Sequence, residues 1–177
     1  MEGTTVRKLK LIPAWQDEKE EAWLSQMAQQ GLHLTQPLVP CLYTFARGAP
    51  AEVAYRLDYV PRLSHDEFGV YLQVFRDGGW EYLGQMAGWQ YFRKPVRAGE
   101  PAEIYTDAES KIRKYRRLLG YLIVVALPFT LIVTTHTADR PRTLFFDAVT
   151  VFQFAVLVLL LYGLARIALR IRELRQL

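Results

Sequence analysis

Short stretches of alternating apolar and polar residues make up the first half of the chain. KLKLI at 8–12 and YRLDYV at 55–60 have the period of two expected of half-buried strands, and each is followed by a proline. After each proline, apolar residues recur at helical spacing, as in WLSQM at 23–27 and YLQVF at 71–75. Each half is therefore predicted to begin with a strand and continue with a helix.

Glycine closes each predicted helix, and two short strands follow it. Gly31 and Gly79 stand just after the last helical turn, where a residue with positive φ ends a helix. The strands after Gly31 are LHLTQ and LYTFA, and those after Gly79 are WEYL and WQYFRK, joined by GQMAG. The predicted unit is strand, helix, strand, strand.

The two units are related by an offset of 48 residues. The offset aligns Gly31 with Gly79 and, without a gap, Tyr43 with Tyr91. Most aligned positions keep their physical type through a strand, a helix, a glycine stop and two more strands, which indicates a tandem duplication.

The fold class that follows is α+β. Two tandem strand-helix-strand-strand repeats, at about 5–48 and 53–96, would fill a domain of residues 1–98. The most economical packing is one antiparallel-rich sheet with both helices on one face and the other face left available.

Two uncharged stretches dominate the C-terminal part of the chain. Residues 118–135 and 148–165 contain 18 residues each, which is just long enough to cross a hydrocarbon core of about 30 Å at about 1.5 Å per residue. We predict a hairpin of two transmembrane helices. Its segments are a linker and basic stalk helix, a first span, an external loop, a second span and a basic tail, at 99–117, 118–135, 136–143, 144–165 and 166–177.

The positive charge of the protein lies beside these stretches. Residues 1–100 carry 11 Lys and Arg against 12 Asp and Glu, whereas residues 101–177 carry 11 against 6. Cations at one end of each apolar stretch are typical of the cytoplasmic side of a membrane, while a nucleic-acid binder spreads them over a folded face, so no nucleic-acid partner is expected. The flanking basic residues are Lys111, Arg113, Lys114, Arg116, Arg117, Arg166, Arg170 and Arg172.

The expected location is a bacterial cell membrane that the chain crosses twice, with both termini in the cytoplasm and the lipid bilayer as the first partner. Tyr105, Ala108, Ile112, Tyr115 and Leu119 recur at heptad spacing along the stalk. The seam favours either a homodimer through the stalk or a helix lying against lipid headgroups.

Large aromatic residues provide the candidate site. Trp89 and Tyr91 alternate on one predicted strand, and Trp80 and Tyr82 alternate on its neighbour. If both pairs face the same way, they form either a core against the helices or a cleft for a small apolar or cationic ligand. The candidate ligand or interaction face comprises Tyr43, Tyr55, Trp80, Tyr82, Trp89 and Tyr91.

Nothing in the sequence predicts catalysis. Asp17, Glu18, Glu20 and Glu21 crowd a predicted helix start, where solvated acids are favoured by the helix dipole. The three histidines have no metal-ligand spacing, and the single cysteine has no plausible histidine partner. We therefore expect no catalytic residue, no metal site, no cofactor and no enzyme activity.

The segments EEAWLSQMAQQGLHL, YTFARGAPAEVAYRLDY and YLQVFRDGGWEYLGQMAGWQYFRK together resemble the bacterial family called domain of unknown function 2812, over about residues 5–95. The resemblance implies a few membrane helices after the domain and genes near regulators similar to the PadR type, but no activity and no site residue. By topology alone, the duplicated plan is similar to effector-binding domains of the gyrase-inhibitor-like fold. That similarity implies small, often cationic or aromatic ligands in a cleft between repeats.

Two functional hypotheses follow. The first is a membrane-anchored cytoplasmic sensor or regulatory accessory domain that binds a small apolar or aromatic ligand, or a regulatory protein. The alternative is an adaptor subunit of a larger membrane complex such as a transporter, in which the soluble domain is the protein-interaction module.

Overall fold

The structure is a computed structural model. It divides into two compact units, Met1–Thr106 and Asp107–Leu177. The residues it describes are 5–38, 41–97, 102–105, 107–137 and 143–176, with side chains of the first apolar helix described as far as residue 132.

The order strand, helix, strand, strand occurs twice in the first unit, as predicted, and the fold class is α+β. The first repeat contains β1 (Thr5–Leu9), α1 (Asp17–Gln29), β2 (Leu32–Leu38) and β3 (Leu42–Arg47). The second repeat contains β4 (Val53–Tyr59), α2 (His65–Asp77), β5 (Glu81–Met86) and β6 (Trp89–Pro95).

The six strands form two sheets and not the single sheet expected from the sequence. Both sheets are antiparallel and have the same topology, with strand orders β1-β3-β2 and β4-β6-β5. At the outer edge of β2, the backbone N–H of Leu34 donates to the Tyr55 hydroxyl at 3.2 Å. A side chain of the second repeat, and not a strand, satisfies this edge.

Helix α2 packs on the sheet of its own repeat, whereas α1 packs on the first sheet and also against β4 of the second sheet, so the helices do not share one face of one sheet. On the first sheet, the ring of Trp23 lies edge-on to Phe45 with centroids 5.8 Å apart. On the second sheet, Phe75 stacks on Phe92 with centroids 4.2 Å apart. A buried cluster of Ala54, Phe75, Trp80 and Phe92 joins α2 to the second sheet.

Strand register corrects the repeat alignment. Leu34 pairs with Phe45 in the first sheet, and Tyr82 pairs with Phe92 in the second. Leu34 and Tyr82 are 48 residues apart, whereas Phe45 and Phe92 are 47 apart. The ungapped offset therefore fails at the last strand: pairing with β2 and β5 makes Thr44 the equivalent of Tyr91, whereas pairing with β1 and β4 makes Leu42 its equivalent.

Both helix-closing glycines have the predicted left-handed backbone, with φ +76° at Gly31 and +78° at Gly79. Space is also tight at Gly31, because a Cβ there would lie 2.5 Å from the carbonyl oxygen of Gly48. In contrast, Gly69 lies exposed within α2 and a Cβ there would meet nothing within 4 Å.

Replacing Gly31 with alanine is expected to lower the free energy of unfolding by at least about 1–2 kcal/mol, because alanine is strained at this φ and clashes with backbone. Gly69→Ala is the matched control and is expected to raise it by roughly 0.5–1 kcal/mol through helix propensity. Urea unfolding followed by tryptophan fluorescence measures both changes. Equal effects of the two substitutions would contradict the explanation.

The second unit consists of two long apolar helices in contact, α3 (Ala108–Thr137) and α4 (Leu144–Leu174). By length and composition, both could cross a membrane. Helix α3 runs without a break from the predicted stalk into the first apolar stretch, and α4 continues past residue 165 through most of the basic tail. Residues 138–142 of the predicted loop lie outside the described residues.

Part of the heptad seam of the predicted stalk is buried within a single chain. Ile112 is 8% exposed and Tyr115 4% exposed, so both are buried without a second copy. Farther along the two helices, many apolar side chains are exposed, among them Val124, Leu127, Val151 and Phe152. The homodimer through the stalk stays a prediction.

Candidate functional site

The aromatic residues of the candidate face are largely buried. Tyr43, Tyr55 and Tyr91 are almost completely inaccessible, Trp80 and Trp89 are buried, and Tyr82 is half-buried. The face is therefore not an open aromatic surface. Ligand binding by these rings stays a prediction.

The four rings of β5, β6 and their neighbouring turn lie on two faces of the second sheet. Tyr82 is paired with Phe92, and both rings contact α2 or its core, as Trp80 also does. Trp89 and Tyr91 alternate with Phe92 along β6 and so point to the opposite face. The single four-ring patch does not form, because the pairing of Tyr82 with Phe92 places Tyr82 on the face opposite to Trp89 and Tyr91.

The buried tyrosines Tyr43 and Tyr91 converge on one carboxylate. The hydroxyl of Tyr43 donates to Glu20 Oε1 at 2.7 Å, and the hydroxyl of Tyr91 donates to the same oxygen at 2.5 Å. Glu20 itself is only 7% exposed. A carboxylate of α1 thus bridges the first sheet to the second through two phenol hydroxyls.

The expectation that the acids of α1 are solvated is wrong for three of the four. Asp17, Glu20 and Glu21 are buried, and only Glu18 is exposed. The sequence did contain the signal, because residues 17, 20 and 21 fall at helical spacing from Leu24 and so lie on the apolar stripe of the helix. As acidic residues at a helix start they were expected to be solvated, but their positions on the apolar stripe of α1 bury their side chains.

Glu20 and Glu21 differ in how their charge is balanced. Glu21 lies 3.7 Å from the Arg56 guanidinium and accepts the backbone N–H of Leu57 at 2.8 Å. Among the described residues, no cation contacts Glu20, whose partners are the two tyrosines. Glu20 is therefore a buried carboxylate without a counter-charge in direct contact.

Burial decides the protonation behaviour of this centre. Removal from water raises the pKa of Glu20, although the two tyrosine hydroxyls act in the opposite direction. Burial and the neighbouring carboxylate raise the pKa of Tyr43 and of Tyr91. Both phenols therefore stay protonated and remain hydrogen-bond donors at physiological pH.

Trp23 and Tyr43 lie in contact with each other between the exposed Lys10 and the Glu20 carboxylate. The ammonium of Lys10, an exposed residue, lies 4.8 Å from the centroid of the Trp23 ring. Trp23 in turn lies edge-on to Tyr43, with centroids 4.9 Å apart. We define the Glu20 centre as Trp23, Tyr43, Tyr91 and Glu20. It already holds one cation of the chain, Lys10, on its outer ring.

A separate half-open groove of about 330 Å³ lies at the start of α2. Its buried residue, Gln90, is hydrogen-bonded to the Tyr82 hydroxyl at 2.9 Å and to the Val60 carbonyl at 3.0 Å. Ser64 and Glu67 form a capping box beside it. These groups are already engaged within the chain, so the groove offers less unsatisfied chemistry than the Glu20 centre.

Metal chemistry has no structural support in the described part of the chain, where no group of three or more His, Cys, Asp or Glu side chains could hold an ion. The Glu20 centre contains one carboxylate and two phenols as hydrogen-bonding groups.

These features define a class of protein in which a duplicated α+β domain with a buried, tyrosine-bonded carboxylate precedes two apolar helices. The chain belongs to the family described as protein of unknown function (DUF2812), whose model matches residues 16–127. The match confirms the family resemblance and extends beyond residue 95 into α3. No curated protein and no solved structure matches the chain.

Proposed function

We propose that this protein is a membrane-anchored cytoplasmic sensor whose soluble domain binds a small aromatic cation at the Glu20 centre. The observation that carries the proposal is the buried Glu20 carboxylate, which accepts two tyrosine hydroxyls and touches no cation among the described residues. A positively charged ligand would supply the missing counter-charge.

Desolvation makes the buried charge of Glu20 costly. An ionised carboxylate removed from water is costly unless it is paired, and hydrogen bonds from two neutral phenols offset only part of that cost. Burial therefore raises the pKa of Glu20. A cation that reaches Glu20 stabilises its charged form, so we expect ligand affinity to increase as pH rises through the pKa of this group.

The aromatic residues supply the second part of the recognition. A cation over the face of a tryptophan ring is attracted by the ring quadrupole, and Lys10 already occupies this position over Trp23. An aromatic cation would displace the Lys10 ammonium, stack on Trp23 and place its charge toward Tyr43 and Glu20. Because the interior is closed, entry requires movement of side chains around Trp23.

The helix hairpin is proposed to hold this domain at the membrane. The exposed apolar side chains of α3 and α4 suit a lipid environment. Basic residues at the start of α3 and the end of α4 favour the cytoplasmic side for both termini. The adaptor function and the link to neighbouring regulators stay predictions.

The test compares two ligands that differ in charge and share one ring system. With the full chain in a non-ionic detergent at pH 8, isothermal titration is expected to show that N-methylquinolinium binds about 10–100 times more tightly than neutral quinoline. This ratio corresponds to a charge-assisted contact of about 1.5–3 kcal/mol. Glu20→Gln is expected to abolish most of the preference for the charged ligand.

Two further variants sharpen the test. Glu18→Gln removes an exposed acid two residues away and is expected to leave the preference unchanged. Lys10→Met removes the cation that covers Trp23 and is expected to tighten binding of the charged ligand. Equal affinity for both ligands, or a preference that survives Glu20→Gln, would rule out Glu20 as the recognition group.

A further inference from the structure

The outer edge of β1 differs from the outer edges of β2 and β4. At β4, Glu21 Oε1 accepts the outward N–H of Leu57 at 2.8 Å. At β2, Leu34 donates to the Tyr55 hydroxyl at 3.2 Å, and its carbonyl accepts from Arg93 at 3.4 Å. Side chains from elsewhere in the domain thus satisfy backbone groups on both of these edges.

Pairing on β3 leaves the other side of β1 open. Lys10 donates its N–H to the Cys41 carbonyl, and the register continues this alternation along the strand. In an antiparallel ladder every second residue directs its N–H and C=O away from the partner strand. Arg7 and Leu9 occupy these positions, and within the described part of the chain no hydrogen bond reaches their outward groups.

Exposure of apolar side chains accompanies the open edge. Leu9 is 78% exposed and Leu11, just after the strand, is 83% exposed. A basic side chain on an edge strand is a common device against aggregation. Two exposed leucines beside it do not serve that purpose, and they provide apolar contacts for an added strand.

We propose that β1 pairs with an extended, acidic segment of a partner protein, which extends the first sheet by one strand. The partner's backbone would bond to the outward groups of Arg7 and Leu9, its apolar side chains would cover Leu9 and Leu11, and its acids would face Arg7. The backbone groups of this surface are separate from the Glu20 centre, although Lys10, just after the strand, covers Trp23 of that centre.

Charge selects this partner over a second copy of the chain. β1 and the residue after it carry Arg7, Lys8 and Lys10 without an acid. Pairing two copies of this strand would bring like charges together across the new ladder, which is unfavourable, whereas acidic residues opposite them are favourable. An acidic segment therefore fits the edge better than β1 of another molecule.

The experiment uses the full chain in non-ionic detergent and two fluorescein-labelled peptides. The first is acetyl-Glu-Val-Glu-Val-Glu-Glu-Glu-amide, which in an antiparallel pair places Val, Val and Glu on the face of Leu11, Leu9 and Arg7, and the second has Lys at every Glu position. Fluorescence anisotropy is expected to show binding of the acidic peptide only. Hydrogen exchange read by NMR should slow at least about tenfold at the Arg7 and Leu9 amides in the complex, since strand pairing protects exactly these outward groups.

Two variants separate strand pairing from general attraction. Arg7→Glu is expected to weaken binding of the acidic peptide about tenfold or more. Arg62→Glu makes the same charge change at another exposed site and should have little effect. Binding without protection of the Leu9 amide, equal effects of the two variants, or protection caused by self-association alone would each overturn the proposal. None of these three outcomes depends on Glu20.

Discussion

Phe92→Ala is expected to lower the free energy of unfolding of the soluble domain by about 3–5 kcal/mol, the range for truncating a buried phenylalanine. Phe92 is 1% exposed and its ring stacks on Phe75 at 4.2 Å. It also lies near Tyr71 and Tyr82, with centroids 6.0 and 5.5 Å away. Truncation removes the central ring of this cluster and leaves a cavity between α2 and the second sheet.

The measurement is urea unfolding of the full chain in detergent, followed by tryptophan fluorescence. All four tryptophans, at positions 15, 23, 80 and 89, lie in the first unit, so the signal reports on that unit. Val74→Ala is the control, because Val74 lies on α2 but is 65% exposed and should change stability by no more than about 0.5 kcal/mol. A loss below about 1 kcal/mol for Phe92→Ala would show that this cluster is not the core of the repeat.

Glu20→Ala is the second substitution with a large expected effect, a loss of roughly 2–5 kcal/mol near pH 5. The substitution removes the acceptor of two buried hydroxyls, those of Tyr43 and Tyr91, and each unsatisfied buried donor costs about 1–3 kcal/mol. Near pH 5 the free-energy cost of burying the Glu20 charge is smallest. Removing the carboxylate therefore offsets little of the stability that is lost with the two hydrogen bonds.

Glu20→Gln isolates the charge from the hydrogen bonds. Its amide oxygen can still accept both hydroxyls, so we expect a small loss near pH 5 and a gain relative to the wild type at higher pH. Burial raises the pKa of Glu20 above its ordinary value of 4.5, so the folded protein holds this proton more tightly than the unfolded chain. The associated stability is complete below pH 4.5 and is lost as pH rises through the raised pKa.

Unfolding free energies of wild type, Glu20→Gln and Glu20→Ala between pH 4.5 and 8 test this linkage. The wild type should lose stability over this range relative to both variants, because only it carries the titrating group. Identical pH slopes in all three proteins would show that Glu20 has the same pKa in the folded and unfolded states. Glu18→Ala provides the exposed reference on the same helix.

The Glu20 centre lies in the part of the chain that the family model matches. The family match includes both α1 and α2, strands β2 to β6 and α3 as far as residue 127, but not β1. Comparisons among family members can therefore ask whether an acid at position 20 and tyrosines at 43 and 91 occur together. Their joint occurrence would support a common ligand class, and their independent variation would favour a purely structural role.

Local sequence patterns determined much of the architecture. Period-two alternation gave the strands, helical spacing gave α1 and α2, and positive-φ glycines ended both helices at Gly31 and Gly79. The uncharged stretches gave two apolar helices. These features were predictable because each depends on the backbone preferences or apolar spacing of neighbouring residues.

The long-range arrangement was not predictable in the same way. The sequence favoured one sheet and left the aromatic residues as either core or cleft, but the strands form two sheets, and the Tyr55 hydroxyl accepts a backbone N–H at the outer edge of β2. Tyr91 and Phe92 are neighbours on β6 and lie on opposite faces by strand alternation, but only the fold brings the Tyr91 hydroxyl to Glu20 of α1. Contacts of this kind between repeats leave no local pattern in the sequence.

The sequence by itself determined the order of elements, the duplicated plan, the family and the two apolar helices. Only the tertiary structure decided that Glu20 is buried, that Tyr43 and Tyr91 meet on it, and that β1 keeps an open edge. The physical reason is that residue type predicts average burial, whereas the cost of burying a particular charge depends on which hydroxyls and cations the rest of the fold brings to it.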